Sequence, residues 1–167
     1  MKLASSWGAK VAVIHPCLEP IELQERPQKL LVARESLIDL GKIAKGYGLK
    51  LAVECLPRTC LGNTSQEIKY LTDQTELAVC CDVNHLFSEK PQEFIRALGN
   101  KVITTHISDW DGKDERHWLP RQGINDWKEI CTALENIDYK GPFLFEVRST
   151  SGHMLKKSWE NLWKETS

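Results

Sequence analysis

The chain has 167 residues, of which 41% are hydrophobic and 27% are charged, and its formal net charge at pH 7 is −1. This apolar content is enough for a buried core and argues against global disorder. The balance of 22 Lys and Arg residues against 23 Asp and Glu residues leaves no basic excess for a nucleic-acid backbone, so no nucleic-acid partner is expected.

The sequence also indicates the cellular compartment of the protein. No apolar run approaches the roughly 20 residues of a membrane span, so no membrane partner is expected. The stretch from Met1 to His15 lacks the basic start, apolar core and cleavage site of a secretory signal. Six cysteines are present, and none of them forms a Cys-x-x-Cys pair. We therefore expect a cytoplasmic protein with reduced thiols.

In chain order, a short segment that could end a helix at Trp7 and Gly8 precedes five alternating strand and helix patterns. The predicted strands are apolar and rich in β-branched residues, and they span Lys10 to His15, Lys50 to Glu54, Leu77 to Asp82, Val102 to Ser108 and Phe143 to Val147. The predicted helices repeat apolar residues at three and four positions, and they cover Pro27 to Tyr47, Thr64 to Leu71, Pro91 to Leu98, Asn125 or Asp126 to Ile137, and Met154 to Lys164.

This alternation of buried strands with helices predicts a parallel sheet covered by helices. Because no linker or low-complexity tract divides the chain, we expect one domain over residues 1–167. An open doubly wound sheet and a (β/α) barrel are both compatible with the pattern. The first strand is followed by Pro16-Cys17-Leu18-Glu19-Pro20 and not by a glycine-rich phosphate turn, which favours the barrel.

The ends of the five predicted strands carry side chains that can bind a metal. In order they are His15, Glu54, Asp82, His106 and Glu146. The carboxyl ends of parallel barrel strands share one rim, where three carboxylates would repel one another unless a cation lay among them. The three carboxylates and the imidazole of His106 favour Mn²⁺, Mg²⁺ or Co²⁺ over a structural zinc site, with Zn²⁺ kept as an alternative.

Several segments in this order resemble the xylose-isomerase-like barrels, a superfamily of sugar and sugar-phosphate isomerases and epimerases with a branch of apurinic-site endonucleases. The motifs are Leu51-Ala52-Val53-Glu54, Cys81-Asp82-Val83-Asn84-His85, Thr105-His106-Ile107-Ser108-Asp109 and the segment from His117 to Trp127. The resemblance runs from Trp7 to Val147 and implies a TIM barrel. It also implies that Glu54, Asp82, His106 and Glu146 are metal ligands and that His85 contacts substrate.

The activity implied by the resemblance is isomerisation or epimerisation of a small carbohydrate by proton transfer next to a carbonyl. Glu54 and Glu146 are the expected catalytic groups, acting as both ligands and bases. The expected substrate-binding residues are His15, His85, His117 and Arg148. Arg148 lies two residues beyond Glu146 and is expected on the same side of the strand.

A multi-zinc apurinic-site endonuclease is the alternative enzyme. In that branch of the family, positions matching His15, His85 and His117 hold further zinc ligands. Glu115 stands where that branch typically has an aspartate, and Arg121 replaces a frequent glycine. The near-neutral charge also disfavours DNA binding.

Five βα units are fewer than the eight of a closed TIM barrel. Relative to the family, the first three units are missing, so we expect an N-terminally incomplete, partial (β/α) barrel. Open strand edges invite pairing with another chain, and a homo-oligomer covering these edges is therefore expected. An inactive metal-binding barrel fragment is the non-enzymatic alternative.

Overall fold

The computed structural model describes residues 1–148 and 150–163, and it contains the predicted alternation of strands and helices. The strands are β1 (Val11–Ile14), β2 (Lys50–Glu54), β3 (Ala78–Asp82), β4 (Val102–Ile107) and β5 (Phe143–Phe145). The helices are α1 (Lys2–Ser6), α2 (Arg26–Gly46), α3 (Ser65–Thr72), α4 (Pro91–Leu98), α5 (Trp127–Asn136) and α6 (Gly152–Trp163), with a 3-10 turn at Gly99–Lys101. The predicted end of the last helix at Lys164 lies outside the described residues.

The five strands form one parallel sheet in the order β1-β2-β3-β4-β5. The sheet curls into half of a barrel, which confirms the predicted partial TIM barrel. Within the described part of the chain, β1 and β5 each pair with a single strand. The carboxyl ends of all five strands therefore lie along one curved rim.

The two faces of the sheet are packed differently. The face toward the helices carries the main core, in which Val53 and Val79 pack with Phe94 and Ile130 of the helices. The inner, concave face holds a small cluster of Ala52, Ala78 and Cys80, with Val11 and Ile103 against it. Small side chains on this face leave room at the rim for the longer side chains of Glu54, Asp82 and His106, which lie further along the same face.

Local signals in the sequence explain where the helices begin. The Thr64 hydroxyl accepts a hydrogen bond from the Glu67 amide at 3.3 Å, and the Asp126 carboxylate accepts one from the Glu129 amide at 3.1 Å. Proline stands in the first turn of α2 and of α4. Among the described helices, none combines the length and the apolar character that crossing a bilayer requires.

Candidate metal centre

Four side chains from four successive strands meet at the rim. Glu54 and Asp82 end β2 and β3, His106 lies near the end of β4, and Glu146 directly follows β5. Each offers one ligand atom, and these four atoms lie within 4.8 Å of one another. His106 Nδ1 is 3.0 Å from Glu54 Oε1, 2.9 Å from Glu146 Oε2 and 3.7 Å from Asp82 Oδ2. The structure thus brings together the four residues that the sequence predicts as a metal quartet.

The environment of Asp82 tests whether this quartet suits a cation. Its carboxylate is fully buried, and Oδ1 accepts a hydrogen bond from the Asn84 amide at 2.7 Å. The other oxygen, Oδ2, is buried with no hydrogen-bond partner among the described residues. Leaving a carboxylate oxygen buried and unpaired is costly, and coordination to a cation would satisfy it. The donor set therefore fits a divalent metal.

The protonation of the metal-free cluster follows from its burial and charges. Burial raises the pKa of Asp82, whereas the hydrogen bond from His106 holds the pKa of Glu146 at about 2. For His106, burial opposes the charged form, but the surrounding side chains of Asp82, Cys80, Glu146 and Glu54 outweigh it and raise its pKa well above the ordinary range. Without a metal, the cluster therefore holds at least one proton at neutral pH.

Two further histidines border the quartet. His15, the residue after β1, places Nε2 3.2 Å from Glu54 Oε2. His85 places Nδ1 3.0 Å from the carbonyl oxygen of Cys55 and 3.5 Å from Asp82 Oδ2. Because a carbonyl can only accept, the Cys55 contact assigns the proton of the neutral His85 ring to Nδ1 and leaves Nε2 with a lone pair.

His117 and Arg148 lie at the β5 end of the rim. His117 Nδ1 donates to the carbonyl oxygen of Glu146 at 2.9 Å, and the Arg148 amide donates to the carbonyl oxygen of His117 at 2.9 Å. Since β5 ends at Phe145, Arg148 lies beyond the strand, in an exposed bend. His117 has φ 51°, a conformation that non-glycine residues seldom adopt, and these contacts hold it there.

Asp109 organises the loop between β4 and α5, although the sequence predicted no role of its own for this residue. The buried carboxylate of Asp109 accepts four hydrogen bonds, from the amides of Trp110, Arg121 and Asn125 and from the indole of Trp127. Backbone hydrogen bonds at 2.9 and 3.0 Å also join Asp109 to Trp118, the neighbour of His117. The only available sequence signal was that Asp109 ends the Thr105-to-Asp109 motif.

An ion-pair bridge spans the rim from the loop after β2 to the loop after β4. The guanidinium of Arg58 pairs with Asp114 and Glu115, and it lies 5.7 Å from the centre of the Phe87 ring. Glu115 Oε2 is 3.9 Å from His85 Nε2. Glu115, which the resemblance matches to an aspartate of the endonuclease branch, is therefore paired with an arginine.

Comparison with known proteins adds family and structural matches. The family model described as xylose isomerase-like TIM barrel matches residues 1–167. The crystal structure of a D-tagatose 3-epimerase-like protein superposes with a TM-score of 0.84 at 24% identity, over 98% of this chain and 67% of that one. The structure of the IOLI protein with a zinc atom gives a TM-score of 0.78 at 20% identity, over 98% and 66% of the two chains. At these identities the structural matches support the fold.

Sequence relatives show how much of a longer protein the chain matches. Uncharacterized protein MJ1311 of Methanocaldococcus jannaschii is 28% identical over 156 residues, which is 87% of this chain and 53% of that protein. Uncharacterized protein MJ1614 of the same organism is 26% identical over 143 residues, 83% of this chain and 55% of that protein. The chain thus spans about half the length of the curated relatives it matches.

Proposed function

Because the chain belongs to the xylose isomerase-like TIM barrel family, we propose that it is a divalent-metal-dependent isomerase or epimerase acting on a sugar or sugar phosphate. The observation that carries this proposal is the meeting of Glu54, Asp82, His106 and Glu146 at one rim, with a buried carboxylate oxygen of Asp82 unpaired. The similarity to a D-tagatose 3-epimerase-like protein supports a carbohydrate as the substrate class.

In this proposal the four residues of the quartet hold one divalent cation. A bound cation polarises the carbonyl of an open-chain sugar and acidifies the neighbouring C–H bond. An oxygen-rich donor set with one imidazole favours Mn²⁺, Mg²⁺ or Co²⁺. Zn²⁺ is a further candidate, because the similar IOLI structure contains zinc.

Glu54 and Glu146 are the proposed proton-transfer groups. They come from β2 and from the end of β5, with two strands between them, so they can approach a substrate from different sides. One carboxylate removes the proton next to the carbonyl, and the other returns a proton to the same carbon for epimerisation or to the next for isomerisation. Such general acid–base catalysis contributes roughly 10² to 10⁴ in rate.

The neighbouring histidines are proposed to orient the sugar. His85 and His117 each direct Nδ1 to a backbone carbonyl, which leaves Nε2 as an acceptor for a sugar hydroxyl. His15, next to Glu54, is proposed as a third substrate contact. Arg148 is proposed to bind an anionic or hydroxyl group of the substrate, because it follows Glu146 on an exposed part of the rim.

Solvent exchange tests the proposed chemistry. The chain is incubated with Mn²⁺ in D₂O with a panel of ketoses and ketose phosphates, and deuterium next to the carbonyl is measured by NMR. Glu146→Gln keeps the side-chain size but removes the base, so exchange should fall by about 10² to 10⁴. Glu76→Gln is the matched control, since Glu76 precedes β3 at the opposite end of the sheet and pairs with Lys45. Absence of exchange with every ketose, in a chain that binds metal, would contradict the proposal.

A multi-zinc phosphodiesterase is the second candidate, and one feature favours it. The two oxygens of Glu54 face two different histidines, with Oε1 3.0 Å from His106 Nδ1 and Oε2 3.2 Å from His15 Nε2. Glu54 and His15 could therefore help to hold a second cation beside the quartet, and two-metal hydrolases require two such ions. Binding of two or three zinc ions per chain, together with cleavage of abasic-site DNA and no deuterium exchange, would select this candidate.

A further inference from the structure

Two cysteines lie close together at the rim, outside the quartet. Cys17 is in the loop between β1 and α2, Cys60 is in the loop between β2 and α3, and both are partly exposed. The Leu61 amide donates to Cys17 Sγ at 3.2 Å, and the Cys17 thiol donates to the carbonyl oxygen of Glu19 at 3.3 Å. Because Leu61 directly follows Cys60, the sulfur of Cys17 lies beside the backbone of its partner.

The backbone on both sides of this cysteine pair is already held in place. The Ile21 amide donates to the carbonyl oxygen of Thr59 at 3.1 Å. The guanidinium of Arg26 binds the carbonyl oxygens of Thr59 and Cys60 and forms two hydrogen bonds with Glu67. These hydrogen bonds hold the two loops side by side, which keeps Cys17 next to the backbone of Cys60.

We propose that Cys17 and Cys60 are a redox modification site that forms a reversible intrachain disulfide when a peroxide is the oxidant. One thiol reacts with hydrogen peroxide to give a sulfenic acid and water. The second thiol then attacks that sulfur, the S–S bond forms, and a second water molecule leaves. Overall, two thiols are oxidised by two electrons and one peroxide is reduced to two water molecules.

Comparison with a second pair of neighbouring cysteines shows why a peroxide in solvent would oxidise Cys17 and Cys60. Cys55 Sγ accepts a hydrogen bond at 3.2 Å from the amide of Asp82, the residue after Cys81, but Cys55 and Cys81 are both fully buried beneath the quartet. Cys131 is buried as well. A peroxide in solvent reaches the partly exposed pair without any opening of the core.

The disulfide would affect the rim of the sheet, because both cysteines lie in loops that border it. Cys17 lies two residues after His15, and Cys60 lies two residues after Arg58. Oxidation would therefore tie together two loops that border the quartet, while leaving the quartet residues themselves unmodified. The disulfide would thus restrain the loop that carries Arg58 and its ion pairs.

Peptide mapping of the oxidised chain tests this assignment. The reduced chain is treated with hydrogen peroxide, alkylated and digested without a reductant. We expect a linked peptide pair containing Cys17 and Cys60, lighter by two hydrogen atoms than the reduced peptides, and its loss on treatment with dithiothreitol. Since the bond closes a loop of roughly 40 residues, Tm should rise by about 5–10 °C.

Variants provide the controls. Cys17→Ser and Cys60→Ser should each abolish the linked peptide, whereas Cys131→Ser should retain it. Should a serine variant fail to fold, isotopic alkylation of the unmodified sequence before and after oxidation identifies the same two residues. A bond between two chains, a bond between Cys55 and Cys81, or oxidation to sulfinic acid without a linked peptide would overturn the proposal.

Discussion

At the scale of single residues, Asp82 distinguishes a metal site from a cluster of boundary side chains. An ordinary boundary carboxylate is solvated or accepts hydrogen bonds with both of its oxygens. Asp82 is fully buried, its Oδ2 atom has no hydrogen-bond partner among the described residues, and its pKa is raised by burial. Such a carboxylate destabilises the metal-free fold when it is ionised, and a bound cation would reverse that effect.

Asp82→Asn tests this interpretation. The amide keeps an oxygen for the Asn84 hydrogen bond and removes the buried charge, so Tm without metal should be unchanged or higher. Metal at 100 times Kd should raise the unfolding free energy of the original chain by about 2.7 kcal/mol, equivalent to a Tm increase of roughly 5–10 °C. The variant should lose this increase. Thermal scans with and without Mn²⁺ or Co²⁺ measure both effects, and an equal metal-induced increase in the variant would refute the assignment.

The protonation of His106 predicts the pH dependence of metal binding. In the metal-free cluster its pKa is raised well above the ordinary value, so the ring is protonated at neutral pH. A metal on Nδ1 must displace that proton. Binding should therefore release at least one proton, and apparent affinity should increase about tenfold per pH unit between roughly pH 6 and 8.

Calorimetry in buffers of different ionisation enthalpy measures this release. The observed binding heat should differ between PIPES and Tris, which bind these metals weakly, at the same pH. His153→Gln, which changes an exposed histidine at the start of α6, should give the same difference as the original chain. Equal heats in the two buffers would show that His106 is already neutral before metal binds.

At the scale of elements, the loop from β4 to α5 depends on Asp109. Both of its oxygens accept two hydrogen bonds, and Gly123 lies so close that a Cβ there would come within 2.4 Å of Asp109 Oδ1. This packing folds the loop back to the sheet and brings His117 to the carbonyl of Glu146. The buried hydrogen bonds of Asp109 therefore position the loop, and the exposed residues at its tip do not.

Asp109→Asn should destabilise this loop strongly. The amide nitrogen cannot accept, so two of the four hydrogen bonds are lost, at a cost of roughly 3–5 kcal/mol for bonds to a charged group. Denaturant unfolding measures the loss. Asp126→Asn is the matched control, because asparagine caps a helix about as well as aspartate and the change should stay within about 0.5 kcal/mol. Equal stabilities of the two variants would contradict the role of Asp109.

At the scale of the whole molecule, the curved sheet of the described residues has an unpaired edge at β1 and another at β5, and its inner face is incompletely covered. Val13 of β1 is 39% exposed, and Leu144 of β5, which pairs with His106 on the inner face, is 53% exposed. Unpaired parallel edges with apolar side chains favour association with another strand. We therefore propose that a second copy of the chain covers these edges.

Val13→Lys tests the proposed association. A charge on the inner side of an edge strand disfavours pairing, so the variant should remain at the monomer mass of 19.1 kDa in sedimentation or light scattering. The original chain should show a mass that increases with concentration. Tyr70→Lys places the same charge at an exposed apolar residue of α3, away from both edges, and should associate as the original chain does. A monomer at all concentrations would refute the proposal.

The alternation of apolar runs, the helix caps and the polar residues at the strand ends were sufficient to predict the element order and the partial barrel. This information is local, because burial on both faces makes a strand apolar and because parallel strands deliver their carboxyl ends to the same rim. The quartet of Glu54, Asp82, His106 and Glu146 could be predicted for this reason, one residue per strand.

Contacts between distant loops could be decided only by the tertiary structure. The Arg58 bridge to Glu115 and the contact of Cys17 with the amide after Cys60 join segments far apart in sequence, and Asp109 gathers four donors from along its own loop and the start of α5. No periodicity encodes such contacts, since they depend on how loops pack after the sheet has curled. The sequence by itself therefore determined the order of the elements and the candidate ligands. Folding decided the burial of those ligands, their protonation and the loops that surround them.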